Sequence, residues 1–276
     1  MKLGLTIFAT DQSIALTDLA IEAENRGYIS LYLPEHTHIP SSRATPAPTG
    51  GPELPNEYLR TLDPMVALGG CAAVTKNLLL GSGVSLVAQH DPVSYAKEWA
   101  TLDHVSGGRA VMGVGFGWNK EEMAHHGVEY STRRDKVREY VLTMQALWSQ
   151  EEASFSGKFI NLDPSWAWPK PIQQPRIRTL VGGAGGPKIF AHISEWADGW
   201  FPIGGSGVRE ALPALTEAWK KAGRTGSPEV VPFGTLPSAE KLAYYEEIGC
   251  TEVVLRLPTA DRDEVFRILD KYDVYL

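Results

Sequence analysis

The sequence predicts a single (β/α)8 TIM barrel over residues 1–276, with long loops after strand 2 and before strand 5. Three observations carry that expectation. Eight short apolar runs alternate with longer amphipathic segments, the two periodicities that mark strands and helices. Most of the runs are apolar without strict alternation, as strands buried on both faces are. No linker composition interrupts the 276 residues, a length that single α/β barrels routinely reach. An open doubly wound sheet is the alternative on the same alternation.

In chain order the expected strands are KLGLTIF (2–8), SLYL (30–33), LLLGSGVSL (78–86), AVMGVG (110–115), IRTLV (177–181), GWF (199–201), EVVPFG (229–234) and EVVLRL (252–257). Helical patterns occupy 13–26, 63–74, 92–104, 132–148, 208–222, 238–248 and 262–271, and a weaker one begins at Pro187. Asp63–Pro64 and Asp91–Pro92 each place a capping aspartate before a proline at the first helical position. Arg26–Gly27 and Ile248–Gly249 end helices on glycine, where a left-handed cap costs least. Two connections are longer than packing requires. One is 37–62, with five prolines, Ser41–Ser42 and Gly50–Gly51; the other is 149–176, rich in Trp and Pro. Both are candidate lids.

Composition narrows the function. A formal charge of −7 and the lack of a Lys/Arg run argue against nucleic acid. Cys71 and Cys250 have no metal or CxxC spacing, which suits buried apolar roles in a reducing cytoplasm. The start, MKLGLTIFAT, is too short an apolar run for a signal peptide, and no run reaches the roughly 18 apolar residues of a membrane span.

On a barrel of this kind the chemistry sits in the loops after the strands. Glu35, His36 and His38 follow strand 2, and Gly83, Val84 and Ser85 close strand 3. Strand 4 runs into GVGFGWNKEE and strand 5 into GGAGGPK. His36-x-His38 resembles the opening of a metal-ligand set, but the later strand ends offer Gly182–Gly183, Trp200–Phe201–Pro202 and Arg256–Leu257–Pro258, and none supplies a ligand. No metal site is expected. The alternate glycines Gly113, Gly115 and Gly117 do not make a dinucleotide fingerprint. They either open one face to a flat ring or fit a tapering barrel interior. Gly182, Gly183, Ala184, Gly185 and Gly186 lead to Pro187 at a helix start, a free-amide loop suited to an anion, or simply a flexible turn.

The run HDPVSYAKEWATLDHVSGGRAVMGVGFGWNKEEM resembles the bacterial luciferase-like superfamily of flavin- and deazaflavin-dependent oxidoreductases. The match rests on Pro92, Ala96, Lys97, Thr101, Leu102, Asp103, Ser106, Gly108, Arg109, Gly113, Gly115, Gly117 and Trp118. VREYVLTMQALW, PKPIQQP, LVGGAGGPK and ADGWFP then follow in the same order, so the likeness spans nearly the whole chain. It implies a (β/α)8 barrel. LYLPEHTHIP, the Pro-rich loop and YLRTLDP are similar to the branch that uses coenzyme F420. That branch implies Glu35 and His36 beside the deazaflavin, and a non-proline cis peptide at Gly83–Val84, next to Ser85, behind it. It also implies cofactor contacts from Gly115, Phe116, Gly117 and Trp118, and a phosphate held by Gly182, Gly183, Ala184, Gly185 and Gly186. The expected activity is hydride transfer between F420 and a small organic substrate, with His36 handling the proton and Glu35 holding its charge or tautomer. Use of reduced FMN and oxygen as a monooxygenase, or cofactor binding without catalysis, are the alternatives. Trp118 stands where the sugar-phosphate dehydrogenases carry a carboxylate, and their phosphate-binding Lys and Arg have no counterparts. The substrate pocket therefore reads as apolar or aromatic, from Trp118, Trp166, Trp168 and Tyr58, with packing of the lids as the equal alternative for these rings. A homodimer is the family expectation.

Overall fold

The protein is described by a computed structural model over residues 1–48 and 53–276. Gly50–Gly51 of the first long loop lie outside the described residues. The chain is an α/β fold with a curled parallel sheet. In order its elements are β1 (Lys2–Thr6), α1 (Leu16–Arg26), β2 (Ser30–Leu33), α2 (Pro64–Val74), β3 (Leu79–Ser82), α3 (Pro92–Ser106), β4 (Ala110–Val114), α4 (Lys120–His125), α5 (Arg133–Ser149), β5 (Ala153–Ser156), β6 (Asn161–Ser165), β7 (Arg178–Gly182), α6 (Pro187–Trp196), β8 (Gly199–Phe201), α7 (Val208–Lys221), β9 (Glu229–Val230), β10 (Phe233–Thr235), α8 (Ala239–Glu247), β11 (Glu252–Arg256) and α9 (Arg262–Tyr272).

Among the described residues the parallel sheet runs β10–β11–β1–β2–β3–β4–β7–β8–β9. The expected strand 229–234 is split because Pro232 has no N–H to give a ladder. Its first half, β9, pairs with β8, and its second half, β10, pairs with β11. Val231 N donates to Trp200 O at 2.9 Å on one side, and Val254 N to Pro232 O at 2.8 Å on the other. The row of strands therefore begins and ends on one stretch of chain, 229–235.

The expected aspartate caps form: Asp63 accepts from Val66 N and Asp91 from Ser94 N, both at 2.8 Å. Gly27 closes α1 at φ 101°. Strand 3 is shorter than 78–86, ending at Ser82 before a cis Gly83–Val84 peptide. Strand 1 likewise stops at Thr6 and helix 1 starts at Leu16. The loop 149–176 is not structureless: it holds the antiparallel β5–β6 hairpin.

Strand parity separates two cores. Leu3, Leu5, Val253 and Leu255 belong to the layer shared with the helices. Tyr32, Val111, Leu180, Phe201, Val231, Phe233 and Val254 fill the opposite face, inside the curl of the sheet. Below them Glu252 is closed off by Ser30 Oγ at 2.7 Å, Tyr32 OH at 3.1 Å and Arg178 Nη2 at 3.0 Å. Polar floor and apolar middle together leave the carboxyl ends of the strands as the open end of this interior.

Candidate active site at the strand ends

Glu35 and His36 do not partner each other. Glu35 is 4% exposed and accepts from Leu86 N and His90 Nε2, each at 2.6 Å. It therefore pins the segment after β3 that carries Gly83, Val84 and Ser85. Burial alone would disfavour a charged His90, yet the hydrogen bond and charge of Glu35 hold its pKa above the ordinary imidazole value. The His90 ring lies flat on Tyr95, centroids 3.8 Å apart.

His36 instead donates from Nδ1 to Glu122 Oε2 at 2.8 Å. Glu122 is 1% exposed and also accepts from Thr37 N at 3.3 Å. It stands in α4, whose start is fixed by Asn119 Oδ1 accepting from Glu121 N and Glu122 N. Glu122 and α4 were missed in the sequence because a helix of 6 residues shows too little periodicity. The findable signal was Asn119 followed by two glutamates, a helix-start pattern. With Nδ1 committed to a carboxylate, Nε2 is the imidazole atom left to exchange a proton.

Around His36 stand Tyr58 (centroids 5.4 Å) and Trp118 (5.8 Å), and Tyr58 in turn meets Phe8 at 4.6 Å. The first long loop thus brings Tyr58 over the open end. Its nearer arm is tied to α4: Glu121 accepts from Ala44 N at 2.9 Å, Thr45 N at 3.1 Å and Thr45 Oγ1 at 2.6 Å. Those bonds, the Thr45 hydroxyl first, pull the Glu121 pKa down to about 2. Trp166 and Trp168 are elsewhere. They sit after β6, 75% and 61% exposed, beside a groove with Ala96, Lys97 and Trp148 on the outer side of α3 and α5. Loop 149–176 packs there, and its tryptophans do not join His36.

At the glycines of the strand ends the packing alternative is the one the contacts favour. A Cβ on Gly115 would lie 2.3 Å from Val84 Cγ2, and one on Gly182 would lie 2.7 Å from Val84 Cγ1. A Cβ on Gly113 would meet Ser82 O at 2.1 Å, and one on Gly117 would meet Met123 Cε at 1.9 Å. These glycines make room for the chain's own atoms. Val84 occupies the space that Gly115 and Gly182 leave, so its side chain forms the wall there. Phe116 packs on His192 at 5.0 Å, under the Arg134 guanidinium.

The loop 183–186 behaves differently. Gly183 has φ 135° and donates to Phe201 O at 3.2 Å. A Cβ on Gly185 would lie 3.0 Å from the Trp200 ring, whereas nothing lies within 4 Å of a Cβ on Gly186. Among the described residues nothing accepts from the N–H groups of Ala184, Gly185 or Gly186. Pro187 opens α6, so these amides and the helix N-terminus together suit an anion. His38 stands apart at the rim, bonded to His125 at 2.8 Å and Thr37 Oγ1 at 2.9 Å. Among the described residues no group of three or more His, Cys, Asp or Glu could hold a metal.

Comparison with known proteins gives a family. An uncharacterized protein of Mycobacterium tuberculosis is 44% identical over 274 residues, 98% of this chain and 97% of that one. An F420-dependent glucose-6-phosphate dehydrogenase of Kineococcus radiotolerans is 29% identical over 218 residues, 76% of this chain and 59% of its own length. In fold the chain is similar to an F420-dependent secondary alcohol dehydrogenase solved with an F420-acetone adduct. That likeness has a TM-score of 0.78 at 18% identity and covers 100% of this chain and 98% of the other. The family pattern described as luciferase-like monooxygenase matches residues 9–249, and the chain belongs to that family.

Proposed function

We propose that this chain is a (β/α)8-barrel oxidoreductase, one domain over 1–276, that passes a hydride between coenzyme F420 and a small organic substrate. The observation that carries the reading is the His36 imidazole, held through Nδ1 by a buried Glu122 at the open end of the sheet interior. The two-sided pairing of 229–235 supports closure of the barrel, and the F420-dependent relatives support the cofactor.

The residues present fit that cofactor. The free amides of 184–186 with the α6 N-terminus would take its phosphate, and the open space at Gly186 admits it. The Val84 side chain, seated in the space that Gly115 and Gly182 leave, would form the wall against the ring, with Trp118 beside His36. When bound, F420 supplies the carbon that gives or takes hydride. His36 Nε2 exchanges the proton of the substrate oxygen. Glu122 fixes the imidazole orientation and its tautomer through Nδ1. Tyr58 and Trp118 exclude water above it. Glu35 acts one step back, by holding the β3 end in place through Leu86 and His90.

A homodimer is part of the proposal. Helix α2, PMVALGGCAAV, has no polar side chain, yet it buries only Pro64, Leu68, Cys71 and Ala72 and leaves Val66 79% exposed. A helix apolar all round belongs in an interior. The compartment proposed is the cytoplasm, where two buried free thiols are at home. Among the described residues no helix is long and apolar enough to cross a membrane.

Titration of purified protein with F420 and with FMN, followed by substrate turnover under each, tests the reading. Tighter F420 binding with oxygen-independent turnover is expected. Tighter FMN binding with oxygen consumption would give the site to the monooxygenase chemistry, and binding of F420 without turnover of any alcohol or carbonyl compound would leave a carrier protein.

A further inference from the structure

The interior face of β11 carries Glu252, Val254 and Arg256 at alternate positions. Glu252 is bonded in the floor and Val254 lies in the interior cluster. The same parity sends Arg256 inward at the open end, and β11 pairs with β1 there, Thr6 opposite Arg256. The side chain is exposed. Among the described residues no carboxylate or carbonyl accepts from its guanidinium. Its charge is felt both at Tyr58, the ring beside His36, and at Tyr272 of α9, so the guanidinium lies at the rim of the open end between them.

Other arginines of the covering loop are engaged. Arg60 is paired with Asp11 at 2.7 Å, and Arg43 lies over Trp118 and bonds the Thr45 carbonyl. A cation without a partner, aimed into an otherwise aromatic chamber, is a receptor for one negative charge. We infer that the substrate is a carboxylate with an apolar or aromatic body, its carboxylate received by Arg256 and the oxygen on its reacting carbon presented to His36. Arg134, whose Nη1 also has no hydrogen bond, comes from α5 and lies over Phe116, whereas Arg256 comes from a strand end, and its planar fork matches a carboxylate in two parallel bonds. A phosphate would carry more charge than this single group answers. From β11 across β1 to β2 is two strand spacings, about 10 Å. The carboxylate and the reacting carbon are therefore separated by several bonds, with Phe8, Tyr58 and Trp118 beside the body between them.

This rests on the proposed function for the identity of the reacting end, so the test reads anion binding with and without cofactor. Calorimetric titrations with benzoate, benzamide and phenyl phosphate would be run on the purified protein, alone and saturated with F420. Benzoate is expected to bind about 10- to 100-fold tighter than benzamide, the range for a hydrogen-bonded charge. Phenyl phosphate should bind no tighter than benzoate. Arg256→Gln should remove the benzoate preference and leave benzamide affinity, F420 affinity and thermal stability unchanged. Arg256→Lys should restore part of it. Equal binding of benzoate and benzamide, or a benzoate preference that survives Arg256→Gln, would overturn the inference; so would phenyl phosphate binding far tighter than benzoate. Failure of F420 to bind while the benzoate preference holds would instead count against the cofactor reading alone.

Discussion

Replacing Glu35 by Gln tests whether this carboxylate is a structural clamp or part of the chemistry. It is 4% exposed and receives two short bonds, from Leu86 N and from His90 Nε2. Glutamine keeps an oxygen for one of them but brings no charge. Hydrogen bonds to charged groups contribute about 1.5–3 kcal/mol each, so a loss of about 3 kcal/mol is expected near pH 6. His90 has its pKa raised in the folded protein despite the opposing effect of burial. Its stabilisation is therefore complete below the unfolded imidazole pKa and fades as pH rises through the raised folded value. The Glu35→Gln penalty should shrink to about half by pH 9, because charge-assisted bonds are about twice as strong as neutral ones. Urea unfolding of both proteins at the two pH values measures it, with the His90 ring signals followed by NMR. Two outcomes would refute the reasoning: a penalty independent of pH, or a wild-type His90 midpoint at or below the ordinary value. If Glu35 acted directly on substrate, stability would hardly change while turnover collapsed.

Four further substitutions test the rest of the site and the proposed interface. Glu122→Gln should lower turnover by about 100-fold or more, the usual worth of acid–base assistance, with F420 affinity within about twofold; stopped-flow hydride transfer reads the first and fluorescence titration the second. Gly115→Ala places a methyl 2.3 Å from Val84 Cγ2, so it should destabilise by about 1–3 kcal/mol and weaken F420 binding by displacing the wall, whereas Gly186→Ala meets nothing and should fold normally. Val66→Glu on the exposed apolar face of α2 should shift the protein to monomer in sedimentation experiments, and an unchanged mass would remove α2 from the interface.

Much of the fold was legible because it depends on local signals that agree. Asp63 and Asp91 cap as their following prolines suggest, and the unbroken apolar runs became strands covered on both faces. What was not legible had no period to read. The 153–165 hairpin consists of two short strands with few buried residues, and nothing in them distinguishes a strand from a polar loop. Trp166 and Trp168 looked like pocket material by composition alone, yet they follow that hairpin out to the far side of α3 and α5.

The pairing within the site illustrates a stricter limit. Adjacent residues leaving a strand point to opposite faces, so Glu35 and His36 had a reason, available from the start, not to meet. With Tyr32 inside the sheet, His36 continues on the inner side, and Glu35 turns outward towards Leu86 and His90. The partner of His36 then had to come from another strand end, and it does, from the loop after β4, 86 residues along the chain. The same reasoning reverses the glycines. A bare strand end admits whatever is nearest, and here the nearest group is Val84 of the neighbouring strand end rather than a ligand. Glycine at these positions is a requirement of the wall's own packing, so it speaks for a cofactor only through the shape of the wall that Val84 builds.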